Sequence, residues 1–302
     1  MSPMVTCLGG GRNKLLAAKG YAEFNELHNP DGLRISTPLT ITDVPLESIP
    51  FYAAQMSNQC VVKVPYANRG TGVYTITSAA ELAEFMAQPH IYDNFIVQSL
   101  IGHHDWPKPT LPEHQILNHI GMTVPEDPGQ KYVADLRMMV VSGSADGWSP
   151  AAIYGRVAED PLSPILPETN SIGMLKTNLS HVTSSGEHST DPTRLLMVDE
   201  LGWPEMRLDL AHLVDCYIQA VFGLQSVEMW AQRLMPSRNK FDIAAFQEQN
   251  NDHALISEIV EGCPQLGMPE EEPLEPVLDL RISRSISVDD TITLSAIVQE
   301  GI

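Results

Sequence analysis

The chain has 302 residues, of which 43% are hydrophobic and 19% charged, a composition typical of a globular protein with one large or two small domains. Its 38 acidic and 18 basic residues give a formal net charge of -20, which argues against nucleic acid and anionic membranes as partners because both attract clustered Lys and Arg. No apolar run approaches the roughly 18–20 residues that cross a membrane, and the N-terminus lacks the layout of a secretory signal, so we expect a cytoplasmic protein.

The first hundred residues predict alternating helices and strands. Residues 13–27 have apolar residues at helical spacing and predict a first helix, which an extended stretch and a short helix follow in 36–49. "QCVVKVPYA" and "GVYTITS" are rich in β-branched and aromatic residues and predict two strands. Ser78 precedes Glu81 by three residues, a capping-box spacing that predicts the start of a helix. "NFIVQSLI" then predicts a buried strand.

The rest of the chain adds a long hairpin and a long helix. The Pro- and His-rich residues 102–130 predict a loop with one short strand, and "KYVADLRMMVVSG" and "WSPAAIYGRVAED" predict a hairpin around the turn "SADG". Residues 160–193 predict mostly loop, residues 207–222 a helix that Gly223 ends, and "FDIAAFQEQN" a later strand. An acidic, Pro-rich linker and a strand-like tail occupy 263–302. The order is typical of an α+β fold with antiparallel hairpins.

A lysine and two glycines mark the first hairpin, in "KVPYANRGTGVYTI". Lys63 ends an apolar strand, where an ammonium group must leave the core or find an anion. Gly70 and Gly72 are typical of an ordinary hairpin turn, but they could also form a mobile cover whose backbone N–H groups face phosphate oxygens. Both interpretations stay open on this stretch alone.

Two further segments carry charged side chains at strand spacing. Asp135 and Arg137 are two apart on a strand and face the same side, and Arg156 on the partner strand could reach that face. A surface ion pair is the plain interpretation, and a functional cleft is the alternative. Glu248 and Asn250 have the same spacing on the predicted last strand, so they indicate either a polar strand edge or two oxygen ligands for Mg²⁺.

Taken in order, these segments resemble the ATP-grasp superfamily of carboxylate–amine and carboxylate–thiol ligases. The similarity lies in "NKLLAAK", "VVKVPYANRGTGVYTI", the hinge "FIVQSLIG", "ADLRMMVVSG", Arg156, "LKTNLS" and "EQN", and it spans residues 13–252. It implies two α+β subdomains with mixed and antiparallel sheets that clasp a nucleotide between them.

The resemblance also implies a division of the chain. Residues 1–50 would be the first helix and connector of the grasp core, and 51–105 the small lid subdomain with the glycine loop and the hinge strand. Residues 106–262 would be the larger C-terminal grasp subdomain, followed by the tail at 263–302. The N-terminal domain usual in the family would be missing, so either the chain is a minimal or truncated version, or a second copy of the chain or a partner domain would supply that surface.

The site residues follow from the resemblance by position. It implies that contacts to ATP come from Lys14, Lys63, Gly70, Gly72, Gln98, Ser99, Ile101 and Lys176. It implies that the residues around the transferred phosphoryl group and the acyl phosphate are Arg137, Arg156 and Asn178. It implies that Mg²⁺ is held by Glu228, Glu248 and Asn250.

The implied activity is an ATP-dependent ligation that joins a small carboxylate to a small amine. Lysines, arginines and magnesium together suit phosphoryl transfer to a carboxylate, because they position the phosphates and neutralise developing charge. Two alternatives remain within the fold. One is a nucleotide-binding or scaffolding relative without catalysis, and the other is a kinase that stops at a phosphorylated metabolite.

Overall fold

The computed structural model describes the chain in ten stretches between residues 7 and 262. These are residues 7–67, 72–101, 120–124, 127–144, 147–161, 170–182, 188–197, 209–237, 241–250 and 252–262. The strand-like tail expected at 263–302 lies outside the described residues, as does most of the His-rich loop. The described part is α+β with antiparallel sheets, as predicted.

The first sheet has four antiparallel strands in the order β1-β4-β2-β3. They are β1 (Thr40–Pro45), β2 (Cys60–Lys63), β3 (Val73–Ile76) and β4 (Asn94–Ser99). This confirms the strands predicted from β-branched content. The core under the sheet joins its apolar face to two helices and includes Val44, Ile49, Ala53, Val62, Ile76, Phe85, Phe95 and Val97.

In sequence, helix α1 (Lys14–His28) precedes this sheet, α2 (Ile49–Gln55) connects β1 to β2, and α3 (Ala79–Ala87) connects β3 to β4. The predicted cap of α3 is confirmed, because the Ser78 side chain accepts a hydrogen bond from the Glu81 N–H at 3.1 Å. The Glu81 carboxylate turns back to the Thr77 N–H at 2.8 Å, which satisfies another donor at the helix start.

The second sheet has the order β10-β7-β6-β5 and contains the predicted hairpin. Its strands are β5 (Ile120–Val124), β6 (Asp127–Ser144), β7 (Gly147–Val157) and β10 (Leu195–Met197). The segment predicted as loop at 160–193 contains short elements instead of loop alone. They are α4 (Ile172–Leu175), β8 (Ser180–Val182) and β9 (His188–Thr190).

The long helix α5 (Leu210–Leu234) packs against α1 and covers one face of the second sheet. The prediction that this helix ends at Gly223 is wrong, because α5 continues to Leu234. A Cβ at Gly223 would lie 3.5 Å from the Tyr21 hydroxyl, which is an ordinary contact distance, so packing against α1 does not require a glycine there. At Gly20, on the α1 side, a Cβ would lie 2.5 Å from the Ser226 hydroxyl.

The strand predicted for "FDIAAFQEQN" is also wrong, since the segment forms helix α6 (Ile243–Gln249). Asp242 caps it by accepting from the Ala245 N–H at 2.9 Å. Phe246 is fully buried in a cluster with Leu16, Trp230, Leu234 and Leu255. This one buried side chain attaches one face of the short helix to the core. Helix α7 (His253–Gly262) follows. None of the described helices is long and apolar enough to cross a membrane.

Buried polar contacts join the two sheets near α4. The Glu81 carboxylate accepts a hydrogen bond from the Ser171 N–H at 2.6 Å, and the hydroxyl groups of Thr75 and Ser171 lie 2.7 Å apart. Ser171 is fully buried. The start of the 170–182 stretch is therefore fixed against the edge of the first sheet.

Candidate functional site

Two lysines from different elements come together beside the first hairpin. Lys63 is the last residue of β2, and its ammonium group donates to the Gln98 side-chain oxygen on the neighbouring strand β4. Lys14 is the first residue of α1, and its ammonium group donates to the Ala67 carbonyl at 2.7 Å. The Lys14 backbone N–H also donates to the Pro65 carbonyl at 2.7 Å, which docks the helix start against the segment that follows β2.

The two ammonium groups are desolvated and act on each other. Burial lowers the pKa of Lys14 from 10.5 to about 8, and the charge of Lys63 contributes to the same shift. Burial also lowers the pKa of Lys63. Within the described stretches, both lysines have only neutral oxygen acceptors and no carboxylate partner. A pair of cations in this setting is suited to an anion.

Of the two glycines in the first hairpin, the structure describes Gly72, where the backbone conformation and close packing both favour glycine. Gly72 has φ +63°, and its carbonyl accepts from the Val64 N–H at 2.9 Å. A Cβ at Gly72 would lie 2.1 Å from a methyl carbon of Val64, so no larger residue fits without movement. Gly70, the other expected lid residue, lies outside the described residues.

The expected adenine hinge overlaps the end of β4, where strand contacts already use some of its hydrogen-bonding groups. Gln98 links Lys63 to β1, because its side-chain nitrogen donates to the Thr40 hydroxyl at 2.8 Å. Ser99 is buried, and its N–H already donates to the Leu39 carbonyl at 2.9 Å. The Ser99 N–H is therefore unavailable to a base. Ile101 is half-buried and lies just beyond the strand.

The ion pair of the second sheet has the geometry that strand spacing predicts. Asp135 on β6 lies opposite Arg156 on β7. The Asp135 carboxylate accepts hydrogen bonds from two nitrogens of the Arg156 guanidinium, and the bond from Arg156 Nε to Asp135 Oδ1 is 2.9 Å long. Arg156 is 8% exposed and also donates to the Thr177 hydroxyl at 3.2 Å. Arg137 lies 3.6 Å from Asp135 with half of its side chain exposed. Arg156 thus fixes the site, and Arg137 presents its charge to solvent.

The "LKTNLS" segment forms the wall of a small pocket of about 100 Å³. Lys176 and Asn178 line it together with Glu159 and Arg194, which the sequence did not single out. Arg194 is 9% exposed and donates to the Asn178 carbonyl at 2.7 Å and the Val157 carbonyl at 3.1 Å. The only sequence signal for Arg194 was a basic residue next to a short strand, which is too common to indicate a site.

The three residues expected to hold Mg²⁺ do not form a site. Glu248 is exposed on α6, where a spacing of two no longer places side chains on one face. The Asn250 oxygen, which would bind the ion, accepts from the buried Asn13 amide at 3.1 Å. Glu228 lies within α5 rather than after it, and burial raises the pKa of its carboxyl group. In the stretches of chain described, no group of three or more His, Cys, Asp or Glu side chains could hold a metal ion.

No protein-family model matches this chain, and no curated protein matches it either. The resemblance to ATP-grasp enzymes therefore rests on the motifs and on their order along the sequence. The candidate residues form two groups, the Lys14–Lys63 pair between α1 and β2 and the Asp135–Arg156–Arg137 group on the second sheet. Each group has a net positive charge, although the chain as a whole has a formal net charge of -20.

Proposed function

We propose that the chain binds ATP through Lys14 and Lys63 and acts as an ATP-dependent carboxylate–amine ligase of the ATP-grasp type. The observation that carries the proposal is the pair of desolvated ammonium groups with no carboxylate partner in the described residues. Phosphate oxygens would supply the missing negative charge. Acidic residues are abundant in this chain, which has a formal charge of -20, so the lack of a carboxylate beside the two lysines favours an external anion.

The second sheet supports a role in phosphoryl transfer. Arg137 has an exposed guanidinium that could neutralise charge on a transferred phosphoryl group, and Arg156, held by Asp135 and Thr177, would keep the face in place. In the proposed reaction a carboxylate oxygen attacks the γ-phosphorus and ADP leaves. The amine nitrogen then attacks the acyl phosphate carbon, inorganic phosphate leaves, and the nitrogen loses a proton to give the amide.

Magnesium enters the proposal only as the ion that accompanies the nucleotide, because Glu228, Glu248 and Asn250 do not form a site for it. This observation favours a second candidate function, a nucleotide-binding protein without catalysis. Under both functions the location is the cytoplasm, where ATP is abundant.

Calorimetric titration with ATP, in the presence and absence of Mg²⁺, tests the binding step. We expect saturable binding to the wild-type chain, and at least tenfold weaker binding to Lys14→Met and to Lys63→Met, because each variant loses a charged phosphate contact. Arg34→Met is the matched control, since it removes an exposed positive charge elsewhere on the chain. Absence of binding at about 1 mM Mg-ATP would refute both candidate functions.

Phosphate release separates the candidates once binding is established. A ligase releases ADP and phosphate only when both a carboxylate and an amine are present, and it forms an amide. A kinase yields ADP and a stable phosphorylated product without free phosphate. The non-catalytic protein binds ATP without turnover, and Glu248→Ala then behaves like the wild type because that side chain is exposed on α6.

A further inference from the structure

The pocket beside α4 is built from one fixed cation and one unpaired cation. In the part of the chain that the structure describes, the Lys176 ammonium group has no hydrogen bond and no ion pair within 4 Å. Burial and the nearby charge of Arg194 lower its pKa, and Glu159 only partly offsets them. The surrounding residues therefore compensate the positive charge of Lys176 only in part.

Arg194 is held rigidly and still has donors to offer. It spends three of its five N–H groups, on the Asp191 carboxylate at 3.2 Å and on the Val157 and Asn178 carbonyls. One N–H on each terminal nitrogen therefore remains for a ligand. Because the side chain is 9% exposed, these donors serve the pocket rather than bulk solvent.

The walls of the pocket are fixed from both sides. On one side Arg156 donates to the Thr177 hydroxyl at 3.2 Å, and on the other Arg194 donates to the Asn178 carbonyl. Upstream, buried Ser171 is tied to Glu81 of the first sheet at 2.6 Å. A segment held at three points is preorganised, so little ordering entropy is lost when a ligand binds.

We propose that this pocket binds a small oxyanion, the carboxylate or phosphate group of a second ligand, between Lys176 and Arg194. Its volume of about 100 Å³ suits a single such group. Asn178 and Ser180 also line the pocket, whereas Lys14 and Lys63 do not. We therefore expect its occupation to be independent of nucleotide binding at those two lysines.

The test follows the backbone amide signals of Gly173 and Ser180 by NMR while sodium phosphate or sodium acetate replaces chloride at constant ionic strength. We expect saturable shifts with dissociation constants in the millimolar range. Lys176→Met should weaken binding about tenfold, because the anion loses a charged partner. Glu159→Gln should strengthen it severalfold, because a neighbouring negative charge is removed.

The controls separate this site from the nucleotide site and from general charge effects. Arg34→Met should bind like the wild type, and so should the double variant Lys14→Met/Lys63→Met. Saturation by phosphate alone identifies a phosphate ligand, and saturation by acetate alone identifies a carboxylate. The proposal is overturned if neither anion gives saturable shifts up to about 50 mM, if Lys176→Met binds unchanged, or if the double variant loses the binding.

Discussion

Substitution of Lys14 by methionine should make the ligand-free protein more stable and weaken its binding of ATP at least tenfold. In the folded chain the pKa of Lys14 is about 8 against 10.5 for a free lysine, which sets a ceiling of about 3 kcal/mol on what its burial costs. Because the side chain is only half-buried, screening by solvent reduces this figure. Loss of the hydrogen bond to the Ala67 carbonyl subtracts about 1 kcal/mol more. We therefore expect a net stabilisation of about 1 kcal/mol.

The measurement is urea denaturation of both proteins at several pH values without ligand. Between about pH 8 and pH 10.5 the unfolded chain holds a proton on Lys14 that the folded chain has lost, so wild-type stability should rise with pH in this window relative to Lys14→Met. The advantage of the variant should therefore be largest near pH 7 and shrink toward pH 10. ATP affinity of the wild type should change in the opposite direction and decline above pH 8, as Lys14 loses its charge.

Lys19→Met is the matched control on the same helix. The Lys19 ammonium group is paired with Asp43 at 2.9 Å and donates to the Gln249 carbonyl at 2.6 Å. Its removal should therefore destabilise the chain, by about 1 kcal/mol. The prediction is wrong if Lys14→Met destabilises the chain as much as Lys19→Met, or if its effect on stability does not change between pH 7 and pH 10. Lys14 would then not be a desolvated cation without a carboxylate partner.

Two further substitutions test the frame that holds the site. Asp135→Asn should cost about 2–4 kcal/mol in urea denaturation, because it leaves the buried Arg156 guanidinium without its counter-charge, and a loss below 1 kcal/mol would contradict the pairing. Gly72→Ala should destabilise more than Gly32→Ala, since both residues have positive φ but only at Gly72 would a Cβ meet Val64, at 2.1 Å. Equal losses in the two variants would show that Val64 moves aside freely.

Local sequence signals were sufficient for strands β2, β3, β4, β6 and β7 and for the charged face of the second sheet. Alternation along β6 placed Asp135 and Arg137 on one side, and hairpin pairing brought Arg156 opposite them, because a strand repeats every two residues whatever surrounds it. The cap of α3 at Ser78 was equally local, since its hydrogen bond spans only three residues. These parts of the fold are encoded within short windows of sequence.

Signals with two physical meanings were decided only by distant contacts. Gly223 looked like a helix end, but the helix continues because Trp230 and Leu234 beyond it pack in a core cluster with Leu16 of α1. "FDIAAFQEQN" has the apolar content of a strand, but it forms a helix whose Phe246 is buried in that same cluster. The prediction that Glu248 and Asn250 point the same way assumed a strand, so it does not hold for a helix.

The sequence by itself determined the α+β class, both hairpins and the residue types that carry positive charge in an acidic chain. The tertiary structure decided which of those charges are satisfied. Lys19 and Arg156 found carboxylates, whereas Lys14, Lys63 and Lys176 were left with neutral acceptors or none among the described residues. The physical reason is that desolvation and pairing depend on neighbours from remote segments, and a sequence window contains neither.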